Sequence, residues 1–462
     1  MISIYNTLSD KKERLPKKKR IEFFVCGPTV YDYSHIGHAR TYIAFDNIAR
    51  YLRSRKVGLF YLQNITDIDD KIIDRANERG ISWKKLSKDF EKAYYRDMKV
   101  LGVRSVNRYA RATDHIKEIV RQVKTLIKKG YAYEIPGDGW YFDLSQDAEY
   151  GKLSRRTAGQ ATDGVSRIDS SSNKKNAGDF CLWKFSSTKK SGEPNWKTEL
   201  GTGRPGWHIE DTAISEKFFG PQYDIHGGAV DLKFPHHEAE IAQQESASGK
   251  KPFVKIWMHT GFLLVNGEKM SKSLGNFTTI RDFLGKHSAE TLRMMVASHL
   301  YRSPIDYTEN LADQSETSVK RIRHFLARLG LFKKSGTISA EIKNLLSATE
   351  QDFEKSMEDD FNTPGALSAI FNLINNLEKQ IWALNKSESS AIRKLIAEKM
   401  EIFGISLKKP VKIPSKAAKM AKERELYRKH KQFIQSDAMR KELDALGYII
   451  EDTPQGPLVL PK

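Results

Sequence analysis

The stretch from residue 21 to 65 constrains this chain most. An apolar, β-rich run, Ile-Glu-Phe-Phe-Val (21–25), stops at the turn signal Cys26-Gly27-Pro28. After Ser34 the periodicity changes, and Ile43, Ala44, Ile48, Tyr51 and Leu52 recur at helical spacing. Ser34 is the expected N-cap of that helix. A second β-rich run follows at 59–65, with a Lys/Asp-rich helix expected from Asp67 onward. Strand, turn, helix and strand in this order predict a parallel α/β sheet, because two parallel strands need a crossover between them.

The remaining pattern divides a chain of 462 residues into several domains. Residues 76–130 read as charged amphipathic helix. From 131 to 205 Pro136, Gly137, Gly139, Gly151 and a Ser/Asn/Lys stretch break any long period, which predicts an inserted subdomain of short strands and loops. Sheet signals return at 223–229 and 262–265, the latter followed by the tight-turn pair Asn266-Gly267. Beyond 285 heptad-like apolar spacing predicts a helical bundle to about Phe403. A Lys/Pro linker then precedes a basic helix at 416–443 and a short strand-like end.

Composition excludes several classes. No run of ~18 apolar residues is present to span a bilayer, and the first twenty residues lack an apolar signal core, so a cytoplasmic protein is expected. Two cysteines, Cys26 and Cys181, do not make a disulfide framework. The excess of 77 Lys+Arg over 58 Asp+Glu, a net +19, suits a polyanionic partner as well as simple solubility.

Two short motifs carry phosphate chemistry. His35-Ile36-Gly37-His38 sits where a strand passes into a helix, and free N–H groups at a helix start favour anions. Its imidazoles, three residues apart, share a face of the first turn. Lys269-Met270-Ser271-Lys272-Ser273 follows the Asn266-Gly267 turn and offers two mobile cations to a departing pyrophosphate. Either motif alone is equally a pair of surface histidines or an exposed basic loop. A third set joins Cys26 at the end of the first strand to His236 and Glu240, four apart on one helix face. Thiolate, imidazole and carboxylate are zinc ligands, although a buried thiol beside an acidic helix start has the same appearance.

Taken together the two phosphate motifs resemble the class I aminoacyl-tRNA synthetases. The stretches FVCGPTVYDYSHIGHAR, NITDIDDKII, GRPGWHIE, HGGAVDLKFPHHEAEIAQ, MHTGFLL and KMSKSLGNF, then EDDFNTPGAL and SDAMRKELDALGYIIEDTPQG, resemble the cysteinyl-tRNA synthetase family along nearly the whole chain. The resemblance implies an α/β fold. A Rossmann-type catalytic domain is divided into 1–115 and 206–285 by a connective insertion (116–205). A helical bundle (286–407) and an anticodon-binding domain (408–462) follow. It implies ATP with Mg2+, L-cysteine and tRNA(Cys) as substrates, and a monomer is expected.

The same resemblance implies site roles. Zinc would be held by Cys26, Asp211, His236 and Glu240, one ion per chain, binding the substrate thiolate in preference to a serine hydroxyl. Gly27, Thr66 and Trp207 would line the cysteine pocket. His226, Gly227 and Asp231 would meet adenosine, His35 and His38 the phosphates, and Lys269 and Lys272 the pyrophosphate. Asp211 departs from the family, which has cysteine there. A Cys-Asp-His-Glu set is harder and more anionic, so a weaker or more promiscuous zinc site is expected, or one in which water replaces Asp211.

At the C-terminal end Lys416, Lys419, Lys422, Arg424, Arg428, Lys429 and Lys431, interleaved with Tyr427 and Phe433, fit phosphate contact and base stacking. Two other functions share parts of the pattern. One is a cysteine:glucosaminyl-inositol ligase of mycothiol synthesis, which lacks a full anticodon domain. The other is an inactive tRNA-binding paralogue, against which the intact His35, His38, Lys269 and Lys272 speak.

Overall fold

A computed structural model describes residues 1–156, 171–186, 193–270, 276–407 and 413–462. The chain forms two compact units. The first comprises Met1–Ala289, His299–Thr308 and Glu358–Asn362, and the second Glu290–Ser298, Glu309–Met357 and Thr363–Lys462.

The centre of the first unit is a five-stranded sheet in the spatial order Val254–Thr260, Tyr223–Ala229, Ile21–Val25, Leu59–Ile65, Arg108–Arg111. Every neighbouring pair is parallel. The two runs read as strands from sequence, 21–25 and 59–65, pair Phe24 with Leu62 and Val25 with Gln63. Strand order reverses at Ile21–Val25, which is flanked by the later Tyr223–Ala229 on one side and by its own successor on the other. In such sheets ligands bind outside the carboxyl ends of the strands at this switch point. Cys26 and His226-Gly227 lie there, tied by the Cys26 N–H to the Gly227 carbonyl at 2.9 Å.

Most residues of the central strands are buried on both faces, with no alternation of buried and exposed positions. Helix Ile36–Ser54 is buried on most of its circumference. Trp257, His226, Phe24 and Leu62 stand in one cross-strand row and share a face, with Trp257, Phe24 and Leu62 inside one core cluster.

The insertion carries a second five-stranded sheet, ordered Ala132–Ile135, Gly139–Phe142, Phe180–Phe185, Gly201–Pro205, Trp196–Thr198, all antiparallel. Short strands broken by turns were expected there. Cys181 is buried in it beside Ile135 and Tyr141. The strand Arg108–Arg111 interrupts the region read as uniformly helical; four residues at a sheet edge are too few to show a period.

In the second unit long helices, Glu309–Leu329, Ala340–Glu358, Thr363–Glu378 and Lys386–Ile402, form the expected bundle. The basic segment is two helices, Ser415–Lys429 and Phe433–Ala445, rather than one. Lys431, at φ 56°, turns the chain between them. The end is a hairpin, Tyr448–Thr453 with Gly456–Pro461. Among the described residues no helix is long and apolar enough to cross a membrane.

Candidate active site and metal centre

The first motif caps its own helix. His35, with extended backbone, is the N-cap of Ile36–Ser54, the place expected for Ser34. Its Nδ1 accepts the His38 N–H, and His38 Nδ1 accepts the His35 N–H, each at 3.3 Å. Imidazole here does the work that Ser and Glu do in an ordinary capping box. The rings stack at 3.7 Å. Burial, and secondarily the neighbouring His35, holds the His38 pKa well below the usual imidazole range. His38 therefore stays neutral at physiological pH and offers hydrogen bonds rather than charge.

The second motif is brought onto the first. Asn266 and Gly267, at φ 51° and 79°, form the tight turn, and Leu264–Val265 pair with Glu268–Lys269. Ile36 N–H donates to the Thr278 carbonyl at 3.1 Å, and Ile280 N–H to the Ser34 carbonyl at 2.9 Å. Gly37 is required where the motifs meet: a Cβ there would lie 2.8 Å from His35 Nδ1 and 3.4 Å from Met270 Cε. Lys269 is exposed, its ammonium 5.4 Å from the centre of the Phe262 ring. Lys272 lies outside the described residues.

Cys26, Asp211 and His236 converge, each buried, with one ligand atom from each inside 4.8 Å. His236 Nε2 is the hub: Cys26 Sγ is 3.7 Å away, Asp211 Oδ2 3.3 Å and Glu240 Oε1 3.1 Å. The two helix starts explain the convergence. Asp211 is in the first turn of Ile209–Phe219, and His236 opens His236–Ser248 with Glu240 one turn on. Glu240 also faces a second group, His226 and His237, with its Oε2 3.5 Å from His226 Nδ1.

Of the supports of His236, Trp207 was named for the cysteine pocket, whereas His208 and Gln243 were not singled out in the sequence. His208 Nδ1 lies 2.8 Å from His236 Nδ1, and Trp207 stacks on the ring at 4.3 Å. Gln243 holds the His208 carbonyl at 2.5 Å. Such contacts fix the ring with Nε2 aimed at the group, as ligating histidines are usually held. The neighbouring histidines in Trp-His and His-His pairs were the available signal.

The donor set fits a divalent metal on the structure's own terms. Asp211 Oδ1 and both Glu240 oxygens are buried without a hydrogen-bond partner. Unpaired buried carboxylates are costly unless protonated or bound to a cation. Burial first, then Asp211 and Glu240, pushes the Cys26 thiol well up, and burial first, then Asp211, pushes the Glu240 carboxyl up. A bound cation reverses that logic and holds thiolate and carboxylate ionised.

The other named residues are dispersed around this group. Thr66 is buried at the end of its strand, and Gly27 adjoins it closely enough that a Cβ would lie 1.8 Å from the Asn64 carbonyl oxygen. Asp231 is exposed in the turn Val230–Lys233. The His226 imidazole is fully buried, 2.7 Å from the Tyr223 hydroxyl and stacked on Trp257 at 4.4 Å. Its position in the cross-strand row places the ring in the core beside Glu240.

In the C-terminal segment Lys416, Lys419, Lys422, Arg428, Lys429, Lys431 and Phe433 are exposed. Arg424 is not available to phosphate, being buried in a fork with Asp452 at 2.5 and 3.0 Å.

Residues 13–317 match the family model for tRNA synthetases class I (C) catalytic domain, and residues 352–408 match the DALR domain. Solved structures agree in fold. Methionyl-tRNA synthetase of Mycobacterium tuberculosis superposes with TM-score 0.60 at 17% identity, covering 84% of this chain and 90% of its own. A leucyl-tRNA synthetase of Agrobacterium radiobacter gives 0.63 at 12% identity, covering 84% of each chain. Fold and motifs thus define a class I aminoacyl-tRNA synthetase. Cysteine–tRNA ligases are similar along the full length: that of Thermococcus onnurineus is 42% identical, covering 99% of this chain and 98% of its own. That of Caldicellulosiruptor saccharolyticus is 40% identical, covering 99% of each. The chain belongs to the cysteinyl-tRNA synthetase family.

Proposed function

We propose that this chain activates L-cysteine with ATP to cysteinyl-adenylate and pyrophosphate, then transfers the cysteinyl group to the 3′-terminal ribose of tRNA(Cys). The observation that carries the amino-acid choice is the buried Cys26–Asp211–His236 group at the switch point of the sheet. Cys26, Asp211, His236 and Glu240 would hold zinc, which when bound supplies a soft Lewis acid that prefers thiolate sulfur to hydroxyl oxygen. Gly27, Thr66 and Trp207 line the cysteine pocket. His35 and His38 hydrogen-bond the phosphates of Mg-ATP, and Lys269 with Lys272 meets the charge that develops on the departing pyrophosphate. Gly227 and Asp231 are left to contact adenosine, with His226 behind them positioning Glu240.

Cysteine-dependent ATP–pyrophosphate exchange, with serine as control and zinc content measured on the same sample, tests this reading. Strong exchange with cysteine alone and about one zinc per chain is expected. No exchange with any amino acid would leave an inactive tRNA-binding protein. Charging of tRNA in preference to a glucosaminyl-inositol acceptor separates the synthetase from the mycothiol ligase.

Asp211 is the chain's own variation. Asp211→Cys restores a soft ligand and is expected to slow zinc loss during chelator dialysis by at least about tenfold. Unchanged retention would mean that Asp211 is not a ligand. The exposed cations of the last two helices support a role in holding tRNA. Truncation at residue 407 is expected to leave adenylate formation largely intact and reduce tRNA charging by about 100-fold or more. Equal loss of both activities would make the segment structural instead.

A further inference from the structure

Arg40 sits in the second turn of Ile36–Ser54, the helix that begins at His35 and His38, and is 1% exposed. Burial lowers its pKa to about 10, so it stays cationic at physiological pH. Among the described residues it forms no ion pair, and its Nε and Nη1 have no hydrogen-bond partner. Burying a cation without a carboxylate is costly. What the guanidinium holds instead is backbone. Its Nη2 donates to the Tyr301 carbonyl at 2.8 Å and to the Ser303 carbonyl.

Those carbonyls stand at the root of the small sheet that carries Lys269. Gly261 N–H donates to the same Tyr301 carbonyl at 3.0 Å. The two backbones pass so closely that a Cβ on Gly261 would lie 2.6 Å from the Ser303 carbonyl carbon. From this crossing Leu263–Val265 and Ile305–Tyr307 run side by side in parallel, with the Ile305 N–H on the Phe262 carbonyl at 2.9 Å. At the far end Asn266 N–H donates to the Tyr307 carbonyl at 3.1 Å, and the chain returns to pair Lys269 with Leu264. Phe262, next to the crossing, also supplies the ring that the Lys269 ammonium approaches. Thr41 adds a second tie from the helix: its hydroxyl lies 2.9 Å from that of Thr260, the residue before Gly261.

We propose that Arg40 is a positioning residue for Lys269: it pins the root of the lysine-bearing hairpin to the helix of His35 and His38, and so sets the distance between the two phosphate motifs. Arg40 acts through the backbone it holds, not on substrate. The two protons of one Nη2 serve two carbonyls, and the rigid guanidinium plane orients both bonds together; an ammonium on a flexible stem does not. Misplacing a reacting group by about 1 Å costs on the order of 100-fold in rate. The inference rests on the reading that Lys269 meets the departing pyrophosphate, and it adds what places that lysine.

The test uses the full chain with Arg40→Met, Arg40→Lys, Lys269→Ala and the combinations of each Arg40 variant with Lys269→Ala. In pyrophosphate exchange, Arg40→Met is expected to lower kcat by about 100-fold and to leave KM for cysteine within about twofold. Arg40→Lys recovers about tenfold of that loss. Lys269→Ala costs far less in the Arg40→Met chain than in the wild type, because the lysine is already out of place. Additive losses, or a KM for cysteine that rises as far as kcat falls, would overturn the inference. Should Arg40→Met fail to fold, Arg40→Lys with and without Lys269→Ala carries the same comparison. Amide hydrogen exchange reads the tie without any activity. Peptides covering 261–269 are expected to exchange about tenfold faster in Arg40→Lys than in the wild type, with 21–25 unchanged. Unchanged exchange at 261–269 would likewise overturn the inference. Absence of pyrophosphate exchange in the wild type defeats the activation reading, whereas the amide exchange decides the role of Arg40.

Discussion

Replacing Cys26 by serine is expected to lower zinc content from about one per chain to near zero and cysteine-dependent pyrophosphate exchange by about 1,000-fold or more. The change is a single atom. It removes the only sulfur from a group whose other donors are the Asp211 and Glu240 carboxylates and the His236 imidazole. A serine hydroxyl does not ionise near neutral pH, and Cys26 is 6% exposed, so water cannot easily take the vacated position. The strand itself should survive, because the Cys26 N–H bond to the Gly227 carbonyl does not involve the side chain. An unchanged thermal midpoint for the metal-free chain, with unchanged ATP affinity, would separate loss of the metal from loss of the fold. Full exchange activity in a zinc-free Cys26→Ser chain would show that the thiol is selected without the metal.

Trp257→Ala is expected to have the largest effect on stability, about 3–5 kcal/mol, lowering the thermal midpoint of the first unit by roughly 5–10 °C. Trp257 is fully buried in the Val254–Thr260 strand. It stacks on His226 at 4.4 Å and packs against His237 at 5.2 Å and Phe253 at 6.2 Å. Truncation leaves a cavity under the helix that carries His236 and Glu240, so zinc should also dissociate faster. Trp257→Phe, which keeps an aromatic face in the row, should recover more than half of the stability measured by denaturant titration. A midpoint change below about 1 °C in Trp257→Ala would mean the strand row does not support the site.

Much of this could be read from the chain alone. The strands Ile21–Val25, Leu59–Ile65 and Tyr223–Ala229 of the parallel core were legible as short β-rich segments, whereas Val254–Thr260 was not. The Asn266-Gly267 turn was legible because few residues other than Asn and Gly adopt positive φ in succession, and both do. The Arg108–Arg111 strand was not, since its edge position and length leave no pattern. The break between the two C-terminal helices was equally silent: Lys431 takes a left-handed conformation without glycine to announce it.

The site shows the same division. Residue types and spacing named Cys26, Asp211, His236 and Glu240 through the family resemblance, because a metal demands particular donor atoms whatever surrounds them. Sequence could not tell that His226 turns into the core, since alternation along a strand says which residues share a face but not which face meets the helix. Nor could it find the His208–His236 contact, whose members come from separate segments of the chain. Donor chemistry is a property of single residues and is written in the sequence. Who holds each donor, and in which direction its proton points, depends on groups brought together only when the sheet and its helices close around them.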